Sequence, residues 1–180
     1  MNMAYLIFMA LWVFGSMASY VHATSCGLMA DANIETIKGQ PAICLPVDAK
    51  EGFPVGWISL AESYVRNPGS WAVSLKEGVK PLILKPGECV VFGEIPRGYE
   101  LDRNVRSSLL TLEGNKTYVF RLSGAYKTRD AYAAVFCTGS KLKGGFEYHQ
   151  YSRAADGGQV IPACDAQRNG GEYDPSTTGK

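Results

Sequence analysis

Beyond residue 25, no window of about a dozen residues carries the period of an amphipathic helix. Short segments rich in β-branched and aromatic residues recur instead, separated by Gly, Pro and Asn. A chain with that pattern has one way to bury apolar surface, which is to fold as sheet. The spacing predicts strands at Ile34–Lys38, Ala42–Val47, Val55–Leu60, Trp71–Leu75 and Pro81–Lys85. Further strands are expected at Cys89–Gly93, Ser107–Leu112, Thr117–Ser123, Ala131–Cys137 and Phe146–Tyr151. Within Thr117–Leu122, Tyr118, Phe120 and Leu122 share one face while Thr117, Val119 and Arg121 share the other. That alternation suits a strand with one face in a core.

One local pattern refines the fold. In the segment Leu112-Glu113-Gly114-Asn115-Lys116-Thr117-Tyr118, a Leu precedes a turn and a Tyr follows as a strand begins. This resembles the tyrosine corner of Greek-key sandwiches, in which the Tyr hydroxyl ties down the backbone of the turn. A hairpin turn followed by an ordinary strand Tyr is the other reading. The expected fold class is therefore all-β, an immunoglobulin- or fibronectin-III-like antiparallel sandwich, with a small barrel as the alternative.

The N-terminus reads as a targeting segment. Residues 1–25 hold no charged side chain, and Tyr5 to Gly15 (YLIFMALWVFG) is an unbroken apolar run. As a helix it reaches about 16 Å, roughly half of a ~30 Å hydrocarbon core. That is too short to span a bilayer and suits the apolar region of a signal peptide. Val21-His22-Ala23 offers a cleavage site that would release a soluble chain from Thr24. Ala23-Thr24-Ser25-Cys26 is a loose lipobox that would make Cys26 the lipid-bearing first residue. The chain has 5 cysteines, at Cys26, Cys44, Cys89, Cys137 and Cys164. In an oxidising compartment an odd thiol is a liability, and acylating Cys26 removes it. The other four then allow two disulfides in any of three arrangements. The expected organisation is a signal peptide over 1–25, a sandwich over 26–153, and a polar, loose C-terminal segment over 154–180.

The 18 Lys and Arg and the 17 Asp and Glu all follow the targeting segment, so the working domain is close to neutral. That balance gives no electrostatic reason to expect nucleic acid as a partner. Catalysis is also disfavoured. The 2 histidines are His22, inside the targeting segment, and His149. A Ser-His-Asp or Cys-His arrangement would have to use His149, and a zinc site built on two or three His is excluded. No G-x-S-x-G elbow, phosphate-cradling Gly loop or C-x-x-C pair occurs. Neither a metal nor another cofactor is expected.

The run Leu84-Lys85-Pro86-Gly87-Glu88-Cys89-Val90, the Gly114–Tyr118 turn and the strand Ala42-Ile43-Cys44-Leu45 are together similar to a family of small bacterial periplasmic lipoproteins. That family is described as immunity proteins of type VI secretion systems. The resemblance covers roughly residues 26 to 138. It implies a lipid-bearing Cys26, an internal-strand Cys44 and the P-G-E-C Cys89, with Cys44 paired to Cys89. Cys137–Cys164 then follows by elimination, and it would tie a segment too polar to dock by burial back onto the sandwich. With Gly27 rather than Asp after Cys26, the usual sorting rule places such a lipoprotein at the outer membrane, facing the periplasm. The membrane would be touched only through the lipid.

The function implied is non-enzymatic: to bind and neutralise a cognate secreted effector, a lipase or a peptidoglycan hydrolase. Exposed aromatic and Arg side chains dominate interface energetics. The candidate contacts are Arg97, Tyr99 and Arg103 in a Gly- and Pro-flanked stretch, with Tyr148, His149 and Tyr151 as a second patch. A lysozyme-inhibitor-like binder and a structural module of a pilus, adhesin or envelope-assembly system are the rival readings. The segment Gly27 to Asp31 lacks the apolar character of a donor strand, which weighs against the pilus reading.

Overall fold

A computed structural model describes residues 27–63, 65–102, 110–141, 144–153, 159–160, 162 and 164. Cys26, Arg103 and the targeting segment lie outside the described residues. Among the described residues thirteen strands occur and there is no helix. In chain order they are β1 (Met29–Asp31), β2 (Asn33–Ile37), β3 (Gln40–Cys44), β4 (Phe53–Glu62), β5 (Ser70–Leu75), β6 (Leu82–Leu84) and β7 (Cys89–Val91). There follow β8 (Tyr99–Leu101), β9 (Thr117–Gly124), β10 (Ala131–Ser140), β11 (Phe146–Gln150), β12 (Ser152–Arg153) and β13 (Gln159–Val160).

The strands form an open sandwich that does not close into a barrel. The large sheet runs β1-β10-β9-β4-β5-β8, with β11 also paired to β10 and β6 also paired to β4. The smaller sheet runs β2-β3-β7, and β12 with β13 makes a separate two-stranded ribbon. Pairing is antiparallel throughout, with one exception: β1 lies parallel to β10, in the register Met29↔Ala131 to Asp31↔Ala133.

Side-chain alternation decides the core. On β9 every second residue is buried, so Tyr118, Phe120 and Leu122 point inward as the sequence pattern implies. They meet Ile58 and Leu60 of β4 and Phe136 of β10, and Ile43 with Leu45 from the small sheet joins the same cluster. Trp71 packs edge-on to Phe92 and Phe120, with centroids 5.4 and 6.4 Å away. The segment expected as a strand at Ser107–Leu112 is not one where it is described. Leu110 and Leu112 pack against the core as irregular chain, without a ladder.

The tyrosine corner is present. The Tyr118 hydroxyl accepts a hydrogen bond from the Glu113 backbone N–H at 2.9 Å. Asn115 takes the left-handed conformation at φ 60° that the tight turn needs. Buried Thr138 on β10 seals the turn: its hydroxyl donates to the Glu113 carbonyl, and its carbonyl accepts from the Asn115 N–H at 2.7 Å.

Both disulfides form as the resemblance and elimination gave them. Cys44–Cys89 bridges β3 to β7 across a loop of 45 residues, and Cys137–Cys164 closes a loop of 27. Strand directions then sort the connections. One end of the sandwich gathers the 45–52, 76–81 and 85–88 connections and the 125–130 turn. The opposite end gathers 63–69, 113–116 and 141–145.

Two stability measurements test this account. Replacing Cys44 and Cys89 together by Ala should cost about 3–4 kcal/mol in the loop-entropy treatment, read as a drop in Tm of roughly 10 °C. The second concerns pH. Burial raises the phenols of Tyr99 and Tyr118 above the ordinary phenol value of 10.0. Above that pH the unfolded chain loses phenolic protons that the native state keeps. Stability is therefore full below pH 10.0 and falls as pH climbs through the native pKa values. Tyr118→Phe should flatten that alkaline fall in Tm while costing about 1 kcal/mol at neutral pH through the orphaned Glu113 N–H.

Candidate functional site

The two halves of β10 have different neighbours along one edge. Beside its first half runs β1, and beside its second half runs β11. Between them both neighbouring chains diverge: after Asp31 the backbone crosses to the small sheet, and after Gln150 it turns toward β12. The divergence opens a groove of about 660 Å³. Ala133 and Val135 of β10 give it a floor of small apolar side chains, and Asp31, Asn33, Tyr151 and Ser152 stand at its rim.

Gln150 fixes the shape of that groove. Its side-chain Nε2 donates to the Ala32 carbonyl at 2.7 Å, and its Oε1 accepts from the Ile34 N–H at 2.7 Å. The amide thus pairs with the crossing backbone as another strand would. The Ala32 N–H donates to the Ala133 carbonyl at 2.9 Å and the Tyr151 N–H to the Val135 carbonyl at 2.8 Å, so both walls are pinned to β10. The Tyr151 hydroxyl reaches the Thr117 hydroxyl at 3.1 Å, which holds its ring against the outer face of the large sheet.

The structure separates the expected contact residues. Tyr151 lines the groove. His149 is on the outer face opposite Cys137, its Nε2 3.7 Å from the Glu147 carboxylate on an open strand surface. Tyr148 alternates to the inner side: its ring packs edge-on to Phe136 with centroids 5.7 Å apart, and its hydroxyl donates to the Gly39 carbonyl at 2.9 Å. Burial raises the Tyr148 phenol above its ordinary value. The three residues therefore do not make one patch.

Tyr99 is a correction. It was expected in an exposed loop, but it opens β8 opposite Leu75 and is 3% exposed. Its hydroxyl accepts from the Leu82 N–H at 3.1 Å and donates to the Val55 carbonyl, so it stitches β6 to β4 from inside. Its ring has no free face for a partner. Arg97, just ahead of β8, is exposed as expected.

One group of three metal-type side chains occurs among the described residues: Glu35, Cys44 and Cys89. Both sulfurs are committed to the disulfide, so no thiolate is on offer there. The chemistry open to the groove is recognition, through an apolar floor and a rim of hydrogen-bonding groups. Compared with family models, with characterised proteins and with solved structures, the chain matches none.

Gln150→Ala should free the Ala32 carbonyl and the Ile34 N–H together. A stability loss of about 2 kcal/mol is expected. Hydrogen exchange should locate it, with the Ile34 amide accelerated far more than the amides of β9.

Proposed function

We propose that this chain is a non-enzymatic periplasmic binder. It acts as an immunity protein that neutralises a secreted effector, a lipase or a peptidoglycan hydrolase, with the groove beside β10 as the receptor for a protruding part of that effector. The observation that carries this reading is the groove itself. Its floor is apolar and its rim polar, and its walls are held by hydrogen bonds reaching across the sandwich. A binder gains affinity when its recognition surface is ordered before the partner arrives. Two disulfides and the Gln150 clamp supply that order without a cofactor.

The segment Met29–Asp31 supports the same reading against a structural-module role. It is already spent as β1 in the chain's own sheet, so it is not a donor strand for a neighbouring subunit. His149 and Glu147 are a surface pair on β11 at 36% and 54% side-chain exposure, outside the groove lining. Attachment through Cys26 completes the proposal, placing the domain at the outer membrane facing the periplasm.

The test is protection of cells that express the effector encoded beside this chain in the periplasm. Ala133→Arg, which fills the groove floor, should lower affinity for that effector by at least about a hundredfold with Tm unchanged. His149→Ala should stay within about a few-fold of the parent protein. Full protection by Ala133→Arg would refute the groove as the receptor. A loss of about a thousandfold in His149→Ala, with folding intact, would refute the non-catalytic reading.

A further inference from the structure

One motif in the sequence plays no part in the groove. Glu113-Gly114-Asn115-Lys116-Thr117 holds an Asn with a hydroxyl residue two positions on and no Pro between, the acceptor pattern for an N-linked glycan. Asn2, Asn33, Asn67, Asn104 and Asn169 all lack a Ser or Thr at that spacing. Glu113 adds a carboxylate two residues before the acceptor, the extra feature that bacterial oligosaccharyl transferases read. Such a match carries weight where the Asn lies on a surface turn of an exported chain.

The fold meets the first condition. Asn115 is exposed, at the tip of the turn that leads into β9. Its φ of 60° is the left-handed conformation, which Gly or Asp would supply as well, so the turn by itself does not call for the five-residue pattern. The surroundings are open. On the neighbouring 141–145 connection, an added Cβ at Gly144 or Gly145 would meet no atom within 4 Å. An exposed amide in that setting can carry a bulky, hydrated group without moving Leu112 and Tyr118, the core residues on either side of the turn. The two disulfides support the second condition, because they belong to an oxidising compartment outside the cytoplasm.

We infer that Asn115 is the acceptor of an N-linked oligosaccharide. Its side-chain Nδ2 forms a bond to the anomeric carbon of a sugar carried on a polyprenyl diphosphate. The bond from that carbon to the diphosphate oxygen breaks, the lipid diphosphate leaves with the electron pair, and the amide gives up one proton. In the folded domain the Thr117 hydroxyl meets the Tyr151 hydroxyl at 3.1 Å, and the Asn115 N–H donates to the Thr138 carbonyl. A transferase has to reach both the Thr hydroxyl and the Asn amide, so transfer precedes the closing of β9 onto β10. The glycan then stands at the end of the sandwich that holds the 63–69 and 141–145 connections, and no residue of that end lines the groove. The inference rests on the periplasmic part of the function proposed above and not on the effector.

The experiment takes the full chain from the cells that make it and reads its proteolytic peptides by mass spectrometry. The peptide containing Asn115 should carry an oligosaccharide mass, with fragment ions placing it on that residue. Asn115→Asp, which keeps the turn, and Thr117→Val should each abolish the added mass, while Thr117→Ser should keep it. The readout is covalent, so it holds whether or not a variant folds. An unmodified Asn115 in a chain whose Cys44 and Cys89 are joined overturns the inference and leaves the periplasmic reading in place. An unmodified Asn115 beside free thiols at Cys44 and Cys89 overturns both. Added mass that survives Asn115→Asp or Thr117→Val also overturns the inference, because the sugar is then not placed through this motif.

Discussion

The small sheet β2-β3-β7 shares no strand ladder with the large one, so the sandwich depends on what crosses the gap between them. Apolar burial does most of this. Ile43 and Leu45 are fully buried among Ile58, Leu60, Phe120, Leu122 and Phe136, and sealing side chains of that size contributes about 1.5–3 kcal/mol each. Burial is non-directional, however, and would tolerate a sliding of one sheet over the other. The direction comes from three devices: the covalent step from β1 to β2 at buried Ala32, the Gln150 amide, and the Tyr148 hydroxyl on Gly39. Two of the three belong to β11, a strand at the edge of the large sheet. That edge is where the groove lies, so the elements that set the sheet-to-sheet register also shape the candidate recognition surface.

Strands whose side chains alternate between core and solvent were legible in the sequence. β9 is the clearest case, with Tyr118, Phe120 and Leu122 inward, and β4, β5, β10 and β11 were found by the same logic. β1 and β8 were not. Each has only 3 residues, too few for a period, and each is stabilised by partners distant in the chain: Ala131–Ala133 for β1 and Val73–Leu75 for β8. The segment ending in Leu112 failed the other way. Its apolar residues are buried as expected, but burial does not require a ladder, and the tyrosine corner holds the chain that follows them.

The site was legible only in part. Alternation along β11 already separates Tyr148 from His149, because neighbours in a strand face opposite ways. Tyr99 misled because Pro96 and Gly98 beside it are turn signals, while its ring is amphipathic and satisfies its hydroxyl inside. Gln150 carried no signal at all. A Gln is unremarkable until its partners are known, and these are 116 and 118 residues earlier in the chain. The groove itself exists because two chains part company beside β10, which no local pattern encodes.

The parallel pairing of β1 has a consequence in time. Met29 to Asp31 cannot find their partners until Ala131 to Ala133 have been made, some hundred residues later in the chain. Once β10 pairs, Gly27 is wedged on Arg129 and the following backbone is sequestered in the sheet. The last long hairpin of the sandwich to be made, β9 with β10, is therefore also the latch that fixes the first described residues.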